Sequence, residues 1–548
     1  MGLVCLVTVG LLLGVPWCGG DVSSGGAAME ALLDTEATLL DSLTSYTTML
    51  EDRLRLLRKY YDEFNTEHKI AKKDMAAYLG NPVNAFKLVK RLYVDWNHTF
   101  NVMNTPFELE KNVTELNKEF VFPDEEDLSG VSEALATLQQ LYKLPTSELA
   151  EGRIYGKQYS SPMTAKDSYE LGYQLFYLRY YSDSYNWFAA ALSRSELEDR
   201  ECKDTISKSA GLEYLAYSAY MIGDVKTSLN AYRDLLELEP EHPRAETGFQ
   251  ALTDLSQSDK TIPNTDRPKH YERYKNFAEL CLDKLDLPEI IKKDLKCHYL
   301  TRNDPFLQLA PVKVEDYYLD PYVAVFYDVI SEREIKLIQE TARPRFVRSE
   351  AIDFNGGKKF KSRHRVSKTC WMREEEDKAV VGSLTRRVGR LTGLCMTSSE
   401  PFQVVYYGTG GHFQPHCDYS FKDDAFGHNL KYHADGDRIA TFLFYLSDVE
   451  QGGRTVFPEL GVGVTPRKGS ALFWYNLYPS GEGNHATLHG ACPVLQGSKW
   501  VANKWIHQRG QELRLPCNLK YEEEGLVKDY PKPVLRKTQS SVDFHPNS

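Results

Sequence analysis

The chain has 548 residues, too many for a single hydrophobic core, so several domains are expected. Its hydrophobic fraction of 42% and mean hydropathy of −0.46 are typical of a folded globular protein and exclude an intrinsically disordered one. A formal net charge of −11 at pH 7 argues against a nucleic-acid partner, whose phosphates require a basic face.

Residues 1–20 contain an apolar run that ends in small residues, which is typical of a secretory signal peptide. The run is too short to span a bilayer comfortably, and no later stretch is apolar enough, so no membrane span is predicted. Two glycosylation sequons, at Asn97 and Asn112, fit a protein of the endoplasmic reticulum lumen. The chain ends in "DFHPNS" and carries no KDEL-type signal, so a partner would have to retain it there.

Cysteines in an oxidising compartment are expected to form disulfides, and two pairs lie close together along the chain. We expect local bridges between Cys281 and Cys297 and between Cys492 and Cys517. No CxxC spacing suggests a zinc site.

Residues 21–145 are predicted to form a helical dimerisation domain. Apolar residues near its start recur at intervals of three and four, which indicates a coiled-coil seam or a helical hairpin. An amphipathic helix that packs on its own domain explains the same spacing. The seam consists of Leu43, Tyr46, Leu50, Leu54, Leu57, Tyr61 and Phe64.

Residues 146–255 are predicted to form a small tetratricopeptide-like solenoid that binds peptide. The stretch from Gly223 to Ala245 matches the second helix and exit of such a repeat, and Arg179–Leu192 aligns with it at an offset of 44 residues. Several tyrosines are candidates for peptide contact, although some are expected to pack the repeats together instead. These candidates are Tyr181, Tyr185, Tyr214, Tyr217 and Tyr220.

Residues 256–310 begin with a polar stretch that contains two prolines, and we interpret them as a linker. From 311 to 520 the chain contains short apolar runs between Gly-rich turns, which predicts an antiparallel barrel or a double-sheet jelly roll. Residues 521–548 are predicted to be a flexible tail. The expected fold is therefore an all-α first half followed by a β-rich domain.

A candidate metal site follows one of the predicted strands. His416 and Asp418 share a strand face, and a second histidine would complete the set of two histidines and one carboxylate typical of non-haem Fe(II) oxygenases. His433 with Asp435, and His270 with Glu272, have the same spacing but lie in a turn and in the linker. The residues alone leave three candidates for the third ligand, namely His485, His489 and His507.

Several long motifs resemble the collagen prolyl 4-hydroxylase α subunit. They are "NPVNAFKLVKRL", the tetratricopeptide unit, "RVSKTCW", "HFQPHCD", "RIATFLFYLSDVEQGGRTVFPELGVGVTPRKGSALFWYNLYPSGEG" and "HGACPVLQGSKWVANKWIHQRGQELRLPC". The resemblance implies a double-stranded β-helix, with His416, Asp418 and His489 as iron ligands. It also implies that Lys499 binds the far carboxylate of 2-oxoglutarate and that His507 lies near that cosubstrate and iron. The residue between His416 and Asp418 is aromatic in that family, whereas this chain has Cys417.

The same resemblance implies a reaction and its partners. Fe(II), 2-oxoglutarate, O2 and L-ascorbate would support hydroxylation of proline at C4 in X-Pro-Gly repeats, with release of succinate and CO2. Protein disulfide isomerase would be the β subunit of an α2β2 tetramer. Two other hypotheses are a hydroxylase of another secreted proline-rich protein and a peptide-binding scaffold without activity.

Overall fold

The computed structural model describes residues 26–104, 125–197, 206–256, 264–267, 274–302, 304–352, 359–361, 365–376, 378, 380–419, 434–517 and 532–536. These residues fall into two compact units. One contains residues 26–67 and 98–104, and the other contains the rest.

The first half of the chain is helical, as predicted. A π-helical turn, Arg91–Asp95, joins two of its helices. The helices are α1 (Gly26–Lys73), α2 (Met75–Leu79), α3 (Pro82–Lys90), α4 (Trp96–Asn104), α5 (Glu125–Tyr142), α6 (Thr146–Ala150), α7 (Ala165–Tyr177), α8 (Tyr181–Ser195), α9 (Lys208–Met221), α10 (Val225–Leu238) and α11 (Pro243–Ser256).

The predicted seam lies on the long helix α1. Leu50, Leu54 and Tyr61 are 41%, 48% and 66% exposed, although each is a large apolar or aromatic side chain. Tyr60 is buried, and its ring stacks on Phe64 with 5.9 Å between ring centroids. The side chains of Leu43 and Tyr46 lie outside the described residues. Part of the seam is therefore left open to solvent in a single chain.

Helices α7 to α10 form two repeats, and an offset of 44 residues relates their internal hydrogen bonds. Ser184 Oγ donates to the Gly172 carbonyl at 2.8 Å, and Ser228 Oγ donates to the Ala216 carbonyl at 2.7 Å. Each bond joins the second helix of a repeat to the first. The alignment of the two segments in the sequence therefore corresponds to a repeated structural unit.

The second half is rich in strands. Two short hairpin strands, β1 (Arg153–Ile154) and β2 (Lys157–Gln158), precede it. The helices are α12 (Phe277–Cys281), α13 (Glu289–Lys292), α14 (Pro305–Leu309), α15 (Glu332–Ala342) and α16 (Val381–Thr392). The strands are β3 (Leu285–Asp286), β4 (Cys297–Leu300), β5 (Val312–Leu319), β6 (Tyr322–Phe326), β7 (Val347–Arg348), β8 (Glu350–Ile352), β9 (Lys359–Lys361), β10 (Arg365–Val366), β11 (Lys368–Met372), β12 (Phe402–Tyr407), β13 (His412–His416), β14 (Arg438–Tyr445), β15 (Gln451–Gly452), β16 (Thr455–Phe457), β17 (Val462–Val464), β18 (Ala471–Tyr475), β19 (His489–Ala491), β20 (Val494–Gln496), β21 (Lys499–His507) and β22 (Val534–Leu535).

Two antiparallel sheets form the jelly roll that the strand pattern predicts. The larger has nine strands in the order β4-β5-β6-β18-β14-β21-β12-β11-β7, and the smaller has five in the order β10-β13-β19-β16-β17. Side chains alternate along β14, so that Leu443 and Tyr445 join the core between the sheets while Phe442 and Phe444 join a second core. That second core contains residues of α15 and α16, which cover the outer face of the large sheet. Because both faces of β14 are covered, its sequence is almost continuously apolar.

The second half of the expected linker is folded. Residues 277–309 contain α12, α13, α14, β3 and β4, and β4 is an edge strand of the nine-stranded sheet. Phe277 and Leu280 belong to the same buried cluster as Val456 and Leu495 of the strand-rich half. The linker interpretation is therefore wrong for this part. Its helices and strands are too short to show a clear apolar periodicity, so the polar stretch before them dominated the prediction.

Candidate active site

The pairing of β13 with β19 selects one histidine from the three candidates for the third ligand. In the register of these antiparallel strands, His416 lies directly opposite His489. His485 lies in a 3-10 turn before β19 and is exposed. Cross-strand neighbours on one face lie close enough to share an ion, so the sheet itself brings the two histidines together.

His416, Asp418 and His489 form a compact group whose ligand atoms all lie within 4.8 Å of one another. His416 Nε2 lies 3.8 Å from Asp418 Oδ1, and His489 Nε2 lies 3.7 Å from Asp418 Oδ2. The Nδ1 atoms of the two histidines bond the carbonyls of Gln414 and Thr487. Both Nδ1 atoms therefore act as donors, which leaves both Nε2 atoms as free acceptors for a metal ion.

Electrostatics favour the protonation states that a metal requires. Burial lowers the pKa of His416, and the nearby His489 lowers it further, so His416 is a neutral imidazole. Burial would raise the pKa of Asp418, but the two imidazoles and Arg438 outweigh it and hold the pKa below its usual value. Two neutral imidazoles and a carboxylate suit Fe(II).

Lys499 lies in the same cavity as these three residues and is 1% exposed. Its Nζ donates to Thr455 Oγ1 at 3.1 Å, and Tyr445 donates to the same oxygen at 2.9 Å. Within the described part of the chain, no carboxylate pairs with Lys499. Burial without an anion lowers the pKa of Lys499 to about 7. A buried ammonium group without a counter-ion indicates a site for an anionic ligand.

Comparison with known protein families covers most of the chain. Residues 26–156 match the prolyl 4-hydroxylase alpha-subunit N-terminal region, and residues 165–257 match the prolyl 4-hydroxylase peptide-substrate-binding domain. Residues 402–507 match the 2OG-Fe(II) oxygenase superfamily and include all four residues of the cavity discussed above.

Two relatives are similar to this chain over most of their length. Prolyl 4-hydroxylase subunit alpha-1 of Rattus norvegicus is 38% identical over 90% of this chain and 94% of its own length. Subunit alpha-2 of Caenorhabditis elegans is 36% identical over 93% of this chain and 96% of its own. This chain belongs to the prolyl 4-hydroxylase α-subunit family.

A solved structure is also similar to part of this chain. It is the viral collagen prolyl hydroxylase from Paramecium Bursaria Chlorella virus-1 in its 2OG complex. It covers 33% of this chain and 94% of its own, with 25% sequence identity and a TM-score of 0.27.

The cavity fits the cofactors of the 2OG-Fe(II) oxygenases. The two free Nε2 atoms and the Asp418 carboxylate suit the metal, and the unpaired Lys499 suits a distal carboxylate of 2-oxoglutarate. Packing holds the imidazoles in place, since Phe413 stacks on His416 at 3.6 Å and Trp474 contacts His489 at 4.6 Å, both between ring centroids. The prediction from sequence did not include Thr455 and Tyr445. Both lie within one of the motifs that carry the resemblance, but their spacing does not mark them, because they become neighbours of Lys499 only in the folded sheet.

His507 lies at the other end of β21 from Lys499. Its Nε2 lies 3.0 Å from Glu400 Oε1 and its Nδ1 lies 2.7 Å from the Gly436 carbonyl oxygen. Burial alone would lower the pKa of His507, but the hydrogen bond with Glu400 raises it above the usual value. His507 is not among the residues that line the cavity. Its predicted place beside 2-oxoglutarate and iron therefore stays a prediction.

The competing histidine–carboxylate pairs do not form a metal group in the described residues. Asp435 pairs with Arg509 at 3.2 Å, whereas His433 and the pair His270 and Glu272 lie outside the described residues. Cys417 is also excluded from the group of ligand atoms. Burial raises the pKa of the Cys417 thiol to about 12. The cysteine between His416 and Asp418 therefore leaves the group of three ligand side chains intact.

The predicted disulfide pairing is wrong. Cys281 bonds Cys492, with 5.6 Å between their Cα atoms, and Cys297 and Cys517 are exposed free thiols. Cys281 lies on α12, which packs against the small sheet, and Arg454 anchors this helix by donating to the Leu280 carbonyl at 2.8 Å. Cysteines bond when their Cα atoms are close in space, and here the fold brings together residues 211 positions apart.

Aromatic rings join helices α7 and α9 of the peptide-substrate-binding domain. Tyr214 stacks on Phe188 at 5.4 Å and lies 5.4 Å from Tyr173, and Tyr217 lies 5.4 Å from Phe176, all between ring centroids. We call this group the aromatic cluster, and it comprises Tyr169, Tyr173, Phe176, Tyr177, Phe188, Tyr214 and Tyr217.

The predicted tyrosines differ in exposure. Tyr217 is 42% exposed and Tyr181 only 7%, while Tyr185, Tyr214 and Tyr220 are partly buried. Tyr181 therefore packs in the interior, against Phe176, instead of offering a surface for peptide. Tyr177, which the sequence did not single out, is 62% exposed. Its spacing of four residues from Tyr173 and eight from Tyr169 marks one helix face and could have identified it.

The two sequons stay predictions. Asn97 is exposed on α4, and its Nδ2 donates to the Tyr93 carbonyl at 2.6 Å, while the sequon's Thr99 is 5% exposed. Asn112 lies outside the described residues. In the part of the chain that the structure describes, no helix has both the length and the apolar character needed to span a membrane.

Proposed function

We propose that this chain is the catalytic α subunit of a prolyl 4-hydroxylase that acts on X-Pro-Gly repeats of procollagen-like polypeptides. Fe(II) and 2-oxoglutarate, when bound, supply the activation of O2 that the reaction requires. His416, Asp418 and His489 hold the metal, and Lys499 orients 2-oxoglutarate by its distal carboxylate. 2-Oxoglutarate is oxidised to succinate and CO2, one oxygen atom enters succinate, and the other becomes the hydroxyl at proline C4.

The observation that carries the proposal is the unpaired Lys499 beside the three metal-ligand side chains. Keeping a lysine buried without a counter-ion costs free energy in the empty protein, so the cavity is adapted to bind an anion. A scaffold without activity would have no physical reason to keep this arrangement. The aromatic cluster supports the peptide part of the proposal, because polyproline II chains bind to aromatic surfaces.

The test is the turnover of 2-oxoglutarate with Fe(II) and ascorbate, with and without a (Pro-Pro-Gly) repeat peptide. We expect peptide to stimulate succinate formation and one hydroxyproline to form for each coupled turnover, with the hydroxyl at C4 in amino-acid analysis. A matched peptide with Ala in place of each residue before Gly is the control. Turnover that neither peptide stimulates would refute the hydroxylase, and stimulation by a different proline-rich peptide alone would refute the collagen-like specificity.

The proposal includes a partner in the endoplasmic reticulum lumen. Protein disulfide isomerase would be the β subunit of an α2β2 assembly with this chain, as membership of the α-subunit family supports. Co-production with the isomerase should give a soluble complex that stays in the compartment. A stable, fully active chain purified without isomerase would contradict this assembly.

The exposed seam on α1 is proposed as the contact between two α chains. Leu50, Leu54 and Tyr61 present apolar surface to solvent in a single chain, and a helical partner would cover it. Changing Leu50 and Leu57 to Asp should convert α2β2 into αβ complexes in light scattering. Changing the exposed Thr48 and Arg55 to Asp is the control and should leave the tetramer intact. A tetramer that survives the leucine changes would refute the role of the seam.

A further inference from the structure

Asp418 is the metal ligand whose position is least fixed by strand pairing. His416 is the last residue of β13 and His489 the first of β19, and the two pair across the sheet. Asp418 lies two residues beyond the end of β13, where the ladder no longer holds the backbone. A carboxylate can also rotate and bind a cation through one oxygen or through both. The side chain of Asp418 therefore needs anchors of its own.

Two donors from the opposite sheet supply those anchors. Thr441 Oγ1 donates to Asp418 Oδ2 at 2.7 Å, and Trp505 Nε1 donates to the same oxygen at 2.9 Å. Both residues are buried, with Thr441 1% and Trp505 6% exposed. Both carboxylate oxygens lie near a ligand histidine, Oδ1 at 3.8 Å from His416 Nε2 and Oδ2 at 3.7 Å from His489 Nε2, but Oδ1 makes no hydrogen bond with the described residues. One oxygen of the ligand is thus occupied and the other is left for the metal.

A third residue fixes the direction of the threonine proton. Asn476 Nδ2 donates to Thr441 Oγ1 at 2.9 Å, and Asn476 is fully buried. A hydroxyl group has one proton to donate. Because Thr441 accepts from Asn476, its own proton is directed to Asp418.

The register of the large sheet makes this arrangement rigid. Thr441 on β14 lies directly opposite Trp505 on β21 and directly opposite Trp474 on β18. Asn476 follows β18 immediately, and its backbone N–H bonds the Ile439 carbonyl at 2.9 Å. The anchoring groups are therefore carried by β14, by its neighbour β21 and by the residue that follows its other neighbour, β18. Sites built on paired strands hold their geometry better than sites built on loops.

We infer that Thr441, oriented by Asn476, and Trp505 are positioning residues that make Asp418 bind the ion through Oδ1 alone. The inference rests on the proposed Fe(II) function and adds residues that act through Asp418. Restricting the carboxylate to one oxygen keeps coordination positions open for the keto acid and O2. Without the two hydrogen bonds to Oδ2, the Asp418 carboxylate could turn and occupy one of those coordination positions with its second oxygen.

The test measures binding of Co(II) without turnover. The full chain, co-produced with protein disulfide isomerase, is freed of metal and titrated with Co(II) against a chromophoric chelator. The visible absorption of bound Co(II) reports its coordination geometry, so the readout does not depend on activity. The variants are Thr441→Val, Thr441→Ser and Trp505→Phe. Thr385→Val is the matched control, because Thr385 is 6% exposed and its hydroxyl donates only to the Val381 carbonyl, in helix α16.

We expect Thr441→Val and Trp505→Phe each to weaken Co(II) binding roughly tenfold to a hundredfold and to change the visible spectrum. Thr441→Ser should restore both to the values of the unchanged protein, and Thr385→Val should leave both unaltered. Asn476→Leu should weaken binding less than Thr441→Val, because the hydroxyl remains.

Two results would overturn the inference. One is equal loss of affinity in Thr441→Val and Thr441→Ser, which would assign the effect to packing. The other is normal affinity and an unchanged spectrum in Thr441→Val. If Thr441→Val does not fold, Trp505→Phe alone decides, since it keeps an aromatic ring and removes one donor. A different result concerns the proposed function alone. If the unchanged protein shows no hydroxylase turnover but the Co(II) titrations come out as expected, the proposed function is contradicted and the role of Thr441 and Trp505 is not.

Discussion

The active-site cavity and the aromatic cluster are both proposed to contact a ligand, but they differ in how tightly each residue's role is fixed. In the cavity, His416, Asp418, His489 and Lys499 are polar groups held within a mostly buried pocket, and each needs a specific partner there. In the aromatic cluster, tyrosines contact one another through ring faces and edges, and several are both core and surface.

The difference reflects the free energy of burial. A buried ionisable group without its partner costs several kcal/mol of folding free energy, so its presence indicates a specific partner and therefore a specific role. A half-buried tyrosine gains from its apolar ring in many orientations, so its residue type says little about its role. Substitutions in the cavity should therefore have larger and more specific effects than substitutions in the aromatic cluster.

The largest effect is expected for the metal ligand His489. His489→Ala should abolish Fe(II) binding and turnover, because two of the three ligands do not hold the ion firmly. His485→Ala is the control, since His485 lies four residues earlier and is exposed. Metal content after dialysis and succinate formation check both. Activity in His489→Ala together with its loss in His485→Ala would show that the ligand assignment is wrong.

The next effect is on cosubstrate affinity. Lys499→Ala should weaken 2-oxoglutarate binding by at least about a hundredfold and change the apparent affinity for peptide much less, because the distal carboxylate loses its buried partner. The control is Lys504→Met, which removes a buried lysine from the opposite face of β21. Lys504→Met should lower the stability of the fold but leave the affinity for 2-oxoglutarate unchanged. An equal loss of affinity for 2-oxoglutarate and for peptide in Lys499→Ala would contradict the proposed role of Lys499 in binding the distal carboxylate.

A smaller effect concerns pH and distinguishes the empty cavity from the filled one. Folding lowers the pKa of Lys499 from 10.5 to about 7, so between these values the unfolded chain holds the proton and the folded chain releases it. Stability without ligand should therefore rise from pH 7 to pH 9, by up to about 1.4 kcal/mol per pH unit from this residue.

The measurement for this effect is thermal unfolding of the unchanged protein and of Lys499→Met across that pH range. The difference in stability between the two proteins should grow in favour of the unchanged one as pH rises. Saturating 2-oxoglutarate should remove the pH dependence, because its carboxylate keeps Lys499 protonated in the folded state. Parallel pH profiles for the two proteins would contradict the prediction.

The smallest effects are expected in the aromatic cluster. Tyr217→Ala should weaken binding of a (Pro-Pro-Gly) peptide roughly fivefold to tenfold and change stability by less than about 0.5 kcal/mol, because Tyr217 is 42% exposed. Tyr214→Ala should instead destabilise the fold by about 2 kcal/mol, because its ring stacks on Phe188. Peptide titration and thermal unfolding separate the two roles. Loss of stability in Tyr217→Ala without a change in peptide affinity would assign Tyr217 to packing.

Local patterns in the sequence were enough for much of the architecture. The helical first half, the two repeats and the jelly roll each follow from a periodicity of three to four or of two residues, which depends only on backbone geometry. The pair His416 and Asp418 follows from the same strand periodicity. His489 and Lys499 were identified by resemblance alone, because spacing along the chain left His485 and His507 open.

Local sequence patterns located most of the helices and strands and indicated which side chains share one face of an element, because these properties depend on neighbours along the chain. The short elements within residues 277–309 are the exception. Only the tertiary structure decided that His489 faces His416, that Cys281 bonds Cys492, and that Thr441 and Trp505 hold Asp418. Those contacts join residues far apart in the chain, and sheet register and the packing of α12 set them. Long-range register leaves no local trace in residue spacing, since one strand can pair with many others until the whole core is assembled.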